Sequence, residues 1–311
     1  MDTELHKTHI PGGPALSQRA IATLTFVIFM SLTLVSWSVV QDLGERHENI
    51  RFDRVVAEAI RKIEHHFSGY EQVLKGGLGY LLASPSVSRN EWRTYVNALR
   101  INDRYPGIHG IGFAKHIPAS RLAAHIEEVR AEGFPSYKVW PETLRQEYTS
   151  IIYLEPFTGS NLRAFGYDMF SNAVRRAAMS HARDTGEAAL TGKVKLVQET
   201  GEDIQAGVLM YLPYYGAANL PKTVEERHAS LGGYVYAPFR MDDFVHATLW
   251  RELDILDLRI FDGEAMAEDS LLFDSVKLRS EPPPVPKFKR VIPVSLYGQT
   301  WAVEASSRPA F

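Results

Sequence analysis

Between Ala20 and Gln41 the chain carries no charged side chain, and the run includes Phe26, Ile28, Phe29, Leu32, Leu34 and Trp37. As a helix it reaches about 33 Å at about 1.5 Å per residue, enough to cross a hydrocarbon core of about 30 Å. A cleaved leader has an apolar core of about 7–15 residues ending at a small-residue site, whereas this run is longer and continues into charged sequence. The reading is a retained transmembrane helix over 20–41, a cytoplasmic tail over 1–19, and all that follows about residue 42 outside. Lys7 and Arg19 precede the span and Arg46, Arg51 and Arg54 follow it, so the basic residues do not set its direction. The short tail is placed inside because a large folded domain translocates largely regardless of flanking charge.

The remainder has the composition of ordinary globular protein, with 45% apolar, 11% aromatic and 23% charged residues over the whole 311. That length accommodates about two domains. A formal net charge of -3 leaves no cationic field to hold a polyanion, which excludes nucleic acid as a partner. Zero cysteines removes disulfides, thiolate metal sites and cysteine nucleophiles. No Walker loop, nucleophile elbow, His-Glu-x-x-His or complete dinucleotide fingerprint is present, so no catalytic residue, metal site or cofactor is expected. His65 and His66 are neighbours and project about 100° apart on a helix, away from any shared metal.

Leu43 to about Leu82 contains no proline, and Val56, Ile60, Ile63, Phe67, Tyr70, Leu74, Leu78 and Leu81 recur at helical spacing. This predicts a stalk helix over 42–84 whose apolar stripe packs either on the following domain or on a second copy of the chain. Gly76, Gly77 and Gly79 are expected to bend or break it near its far end. Ser88 and Glu91 have capping-box spacing before a second helix ending near Asn102. Strands are expected at 107–117, 136–139, 148–154, 193–198 and 207–215. Helices are expected from Pro118 and over 172–185, the latter stopped by Gly186. The polar stretch from Ala217 to Glu226 marks a boundary. Beyond it, a strand over 232–239 leading into a helix over 240–250 repeats the earlier strand and helix at 110–130. Strands at 290–297 and 300–306 would finish this second unit, and Glu281 with Pro282, Pro283, Pro284 and Pro286 reads as an extended connector.

One set of segments is more specific. It comprises Gln146-Glu147-Tyr148, Ile151-Ile152-Tyr153-Leu154-Glu155-Pro156, Phe165-Gly166-Tyr167-Asp168-Met169, Arg183-Asp184-Thr185-Gly186, Leu190-Thr191-Gly192 and Leu196-Val197-Gln198-Glu199, with Tyr105-Pro106-Gly107-Ile108 and Tyr211-Leu212-Pro213-Tyr214-Tyr215. Together they resemble the CHASE family, extracytoplasmic sensory domains of membrane histidine kinases and cyclases that include plant cytokinin receptors. The resemblance covers about residues 100–240. It implies an α+β fold: a transmembrane helix, a long stalk helix and two tandem PAS-like antiparallel-sheet subdomains, membrane-distal over 85–216 and membrane-proximal over 217–311. It also implies a small-molecule sensor in a bacterial inner membrane, with the sensory part periplasmic, a homodimeric assembly embedded in membrane lipid, and any kinase or cyclase output outside this chain.

In the cytokinin-binding members an aspartate at the position Asp168 resembles hydrogen-bonds a planar heterocycle, and the backbone at the position of Leu190 adds polar contacts. Asp168 and Leu190 are therefore the expected polar ligand contacts. Ile152, Phe165, Leu196, Val208 and Met210 are the expected apolar walls, with Val208 and Met210 on one strand face. The competing assignment for the apolar set is ordinary core, and for Asp168 a helix-start cap before Ser171 and Asn172. Tyr153-Leu154-Glu155-Pro156 and the Arg175-Arg176 pair resemble the bacterial branch, so the identity of the ligand does not transfer. Arg175 and Arg176 could hold an anion; on a helix flanked by Asp168 and Asp184 the favoured reading is surface ion pairs. The second functional reading is an envelope protein-interaction adaptor with a degenerate pocket.

Overall fold

The computed structural model describes residues 17–199, 201, 204–216, 220–277 and 285–311. Residues 1–16 of the tail expected over 1–19, the start of the boundary segment at 217–219 and the proline run at 281–284 lie outside the described residues. The chain divides after Arg54 into a small N-terminal unit and a large one from Val55 to Phe311.

Helix α1 runs unbroken from Gln18 to Ala83. Its N-terminal stretch has the apolar side chains exposed, Phe26 by 64% and Trp37 by 65%, and among the described residues it is the one segment long and apolar enough to cross a membrane. From Val55 onward the helical stripe is buried within the chain itself. Phe67 meets Phe239 at 5.3 Å, Phe244 at 4.9 Å and Trp301 at 5.6 Å between ring centroids. Of the two partners open to the stripe, the following domain takes it.

The glycines do not break α1. A Cβ on Gly77 would stand 3.3 Å from both the Trp92 ring and Val235, so the absence of a side chain lets α2 (Arg89–Leu99) and the first sheet approach the helix backbone. Tertiary contact offsets the local helix cost of about 1 kcal/mol per glycine. Helix α2 starts with the expected reciprocal bonds between Ser88 and Glu91 and ends at Leu99, where Arg100, with φ at 52°, caps it and leads directly into the short α3 (Ile101–Arg104).

Two antiparallel sheets follow. The six-stranded sheet has the order β2 (Glu147–Glu155), β1 (Ile111–Pro118), β6 (Gly233–Arg240), β5 (Ala206–Tyr214) and β3 (Ala189–Leu190), with β4 (Val194–Lys195) also pairing β5. The four-stranded sheet has the order β8 (Leu271–Asp274), β7 (Leu256–Asp262), β10 (Gln299–Ser307) and β9 (Lys289–Leu296). Helix α4 (Leu122–Ala131) follows β1, α5 (Ala173–Thr185) covers the first sheet, α6 (Val224–Ser230) precedes β6, and α7 (Met241–Leu249) joins the two sheets.

The expected boundary at 216/217 does not coincide with the sheets. Strand β6 pairs with β1 and β5 at the centre of the six-stranded sheet, so the second sheet begins only at Leu256. The strand and helix after residue 232 therefore complete the first unit and do not open a repeat. Residues 136–139 form no strand; Tyr137 and Val139 instead enter a small satellite core with Ile117, Val129 and Tyr148. The segment expected at 193–198 pairs only over Val194–Lys195.

In that satellite core, buried His125 bonds through Nε2 to Tyr137 Oη at 2.9 Å, and Tyr137 Oη to Ser150 Oγ at 2.8 Å. Burial, with Lys115 and Arg89 adding to it and Glu128 opposing, pushes the His125 imidazole down from 6.5 to about 4. The unfolded chain therefore binds the proton first, and stability is fully present above pH 6.5 and lost as pH falls toward 4. Urea melts between pH 7 and 4.5 are expected to lose roughly 2–3 kcal/mol through this group, and His125→Gln to flatten that part of the profile. Packing makes a second prediction. Gly77→Leu is expected to lower stability by about 1–3 kcal/mol through overpacking, while Gly79→Ala, with no neighbour within 4 Å of its added Cβ, raises it by roughly 0.5–1 kcal/mol.

Candidate functional site

Strand alternation gives the six-stranded sheet two unlike faces. Val235 and Phe239 on β6 turn toward α1. The opposite face carries Leu209 and Tyr211 from β5 and Tyr234 and Tyr236 from β6, packed with Ala178, Met179 and Ala182 of α5 and with Tyr167 and Met169 of the preceding loop. Helix α5 is set there by Asn172, whose side chain accepts from the Arg175 amide, and by Gly186, which closes it with φ at 79°.

The seven residues selected from sequence are not gathered around one hollow. Directly paired residues share a sheet face, so Val208, opposite Phe239, and Met210, opposite Ala237, lie on the α1 side. Leu190 pairs with Met210 and shares that side. Its amide donates to Tyr297 O at 2.9 Å and its carbonyl accepts from Gln299 Nε2 at 3.1 Å, so its backbone polar groups serve the β9–β10 hairpin of the second sheet. Ile152 sits at the register shift of β2, with its carbonyl bonded by Arg89. Phe165 belongs to the satellite core, 5.0 Å from the Phe134 ring and 4.9 Å from the Tyr137 ring. Leu196 alone of the apolar five joins the α5 face.

Asp168 is completely buried. Its Oδ1 accepts from the amides of Thr149 at 2.8 Å and Phe170 at 3.1 Å, and its Oδ2 pairs with Arg145 Nη1 at 3.0 Å. Both oxygens thus fasten the loop before β2 and a short 3₁₀ turn, Met169–Ser171, that Asp168 caps. This is the helix-start role, strengthened by an ion pair. Burial raises its carboxyl above the usual carboxylate range, opposed by the two amides and Arg145.

The polar groups of the α5 face come from residues the sequence reading did not select. Tyr211 and Tyr236 lie directly opposite each other, 6.2 Å apart between ring centroids, and both are fully buried. Their hydroxyls have no hydrogen-bond partner among the described residues. Tyr234 beside them is satisfied, donating to Met179 O at 3.0 Å. Burial pushes the Tyr211 and Tyr236 hydroxyls well above the ordinary tyrosine value, so both stay protonated donors. Arg175, expected at the surface, is instead 3% exposed and enters this face, while Arg176 remains outside and donates to Phe170 O. The available signal was phase: residues 175, 178, 179 and 182 recur at the spacing of one helix face.

An unpartnered buried hydroxyl costs about 1–3 kcal/mol, and this face carries two of them. Among the described residues no group of three or more potential metal ligands forms.

The family model for the CHASE domain matches residues 85–273. Hybrid signal transduction histidine kinase A of Dictyostelium discoideum is 23% identical over 269 residues, 82% of this chain but only 12% of that protein. An extracellular ligand binding receptor from Desulfohalobium retbaense superposes with a TM-score of 0.50 at 10% identity, covering 82% of this chain and 40% of that one. The ligand-binding domain of the Pseudomonas aeruginosa amino acid chemoreceptor PctC, in complex with GABA, gives a TM-score of 0.41 at 12% identity, covering 84% and 98%. Through the match over most of its two sheets, the chain belongs to the CHASE domain family of extracellular sensory modules in signalling receptors.

Proposed function

We propose that this chain is the small-molecule sensor of a bacterial transmembrane receptor, anchored in the inner membrane by residues 20–41 with both sheets in the periplasm. The ligand-bearing subdomain extends to Arg240, and the second sheet is membrane-proximal. The receptor acts as a homodimer and signals to a kinase or cyclase elsewhere in the assembly. Because the stripe from Val56 to Leu81 is occupied by the chain's own sheets, the dimer contact falls to other surfaces.

The supporting observation is the pair of orphaned hydroxyls, Tyr211 and Tyr236, on the α5 face. An occupant that bonds them must favour one arrangement of the surrounding elements to produce a signal. A route to the stalk exists: β3 on the same sheet is bonded through Leu190 to Tyr297 O, and Tyr297 Oη donates to Glu71 of α1 at 3.0 Å.

The test is a thermal-shift screen of the full chain in detergent against small heterocycles and common metabolites. A binder is expected to raise the melting temperature in proportion to log concentration. The double variant Tyr211→Phe, Tyr236→Phe is expected to lose that shift while its own unliganded stability is unchanged or raised by about 1–2 kcal/mol. Absence of any stabilising compound, or an equal shift in the double variant, would contradict the proposal.

A further inference from the structure

The face of α5 that meets the six-stranded sheet presents Arg175, Ala178, Met179 and Ala182, three uncharged residues and one guanidinium. Arg175 Nη1 donates to Tyr167 Oη at 3.2 Å and Nη2 to the Lys195 carbonyl at 3.0 Å. Its Nε has no acceptor, and no carboxylate among the described residues lies within ion-pair distance of it. The other deeply placed ions of this subdomain are matched: Asp168 with Arg145, Glu155 with Arg93, Glu199 with Arg240. Arg175 is thus a buried cation held by two neutral oxygens and by the face of the Tyr167 ring, 5.2 Å from its guanidinium carbon to the ring centroid, with no carboxylate to offset the desolvation of its charge. Its charge reaches the hydroxyls of both Tyr211 and Tyr236, and it approaches the Tyr211 oxygen as a donor, while neither phenol has an acceptor for its own proton.

One guanidinium sets the charge of the occupant. A single negative charge leaves the face neutral, whereas a dianionic phosphate would bury an excess. A carboxylate also matches the planar fork of a guanidinium and accepts from further donors such as two phenols. We propose that this face takes a small molecule with one carboxylate, received by Arg175 Nε and the hydroxyls of Tyr211 and Tyr236. This rests on the sensor reading above and names its ligand class.

The test uses the full chain in detergent, titrated by calorimetry and thermal melts with acetate, propionate, benzoate and phenylacetate, each against its primary amide, and with inorganic phosphate. At least one carboxylate is expected to raise the melting temperature and to bind at least tenfold more tightly than its amide, with phosphate inert. Arg175→Met is expected to melt at or above the wild-type temperature without ligand yet to lose the carboxylate response, and Arg175→Lys to keep part of it. Equal binding of acid and amide would overturn the charge assignment while leaving the sensor reading intact. Arg175→Met melting well below wild type, with no carboxylate response in the parent chain, would overturn it by making the guanidinium a brace between α5, Tyr167 and the Lys195 carbonyl. A silent carboxylate set also overturns it, and a hit from the neutral compounds of the wider screen would show that the sensor reading survives.

Discussion

Phe67 is the joint on which the large unit is assembled, because its ring meets Phe239 of one sheet and Trp301 of the other on the same helix. Aromatic side chains bury roughly 150–250 Å² each and prefer tilted or edge contacts, and the interplanar angles here, 63° and 76°, are of that kind. Neither sheet therefore closes its helix-facing side without α1. The N-terminal helix is a shared core element, and an event that moves one sheet is felt by the helix and by the other sheet.

That arrangement assigns different work to the two faces of the six-stranded sheet. The α1 face is apolar, filled by Val208, Met210, Val235 and Phe239, and is spent on stability. The α5 face holds two unpartnered phenols and an arginine without an acid. Each of these groups is destabilising unless it gains a partner. The bonds through Leu190 and Tyr297 to Glu71 link the sheet that carries this face to α1.

Most of the fold was legible in the chain. The uncharged run, the stripe from Val56 to Leu81, the Ser88–Glu91 box and the Asn172 to Gly186 helix all express local physics, and each appears as an element close to the expected bounds. What failed was non-local. The place of β6 at the centre of the first sheet is decided by pairing with β1, more than one hundred residues earlier, and the straightness of α1 at Gly77 by a ring from α2. The site was less legible for the same reason. Resemblance pointed to Asp168, but whether its oxygens are free depends on Arg145 and Thr149, whose proximity no spacing rule supplies. Arg175 was read as exposed because charge usually is, although its phase with Ala178 and Ala182 placed it inside.

The most direct measurement is a crystal structure of the protein purified from its native membrane without exchange of bound small molecules. The account predicts density for a compact non-protein molecule between α5 and the six-stranded sheet, within hydrogen-bond distance of the Tyr211 and Tyr236 hydroxyls. Density confined to the Asp168 side of β2, or tyrosine hydroxyls bonded only to the chain's own side chains, would contradict it.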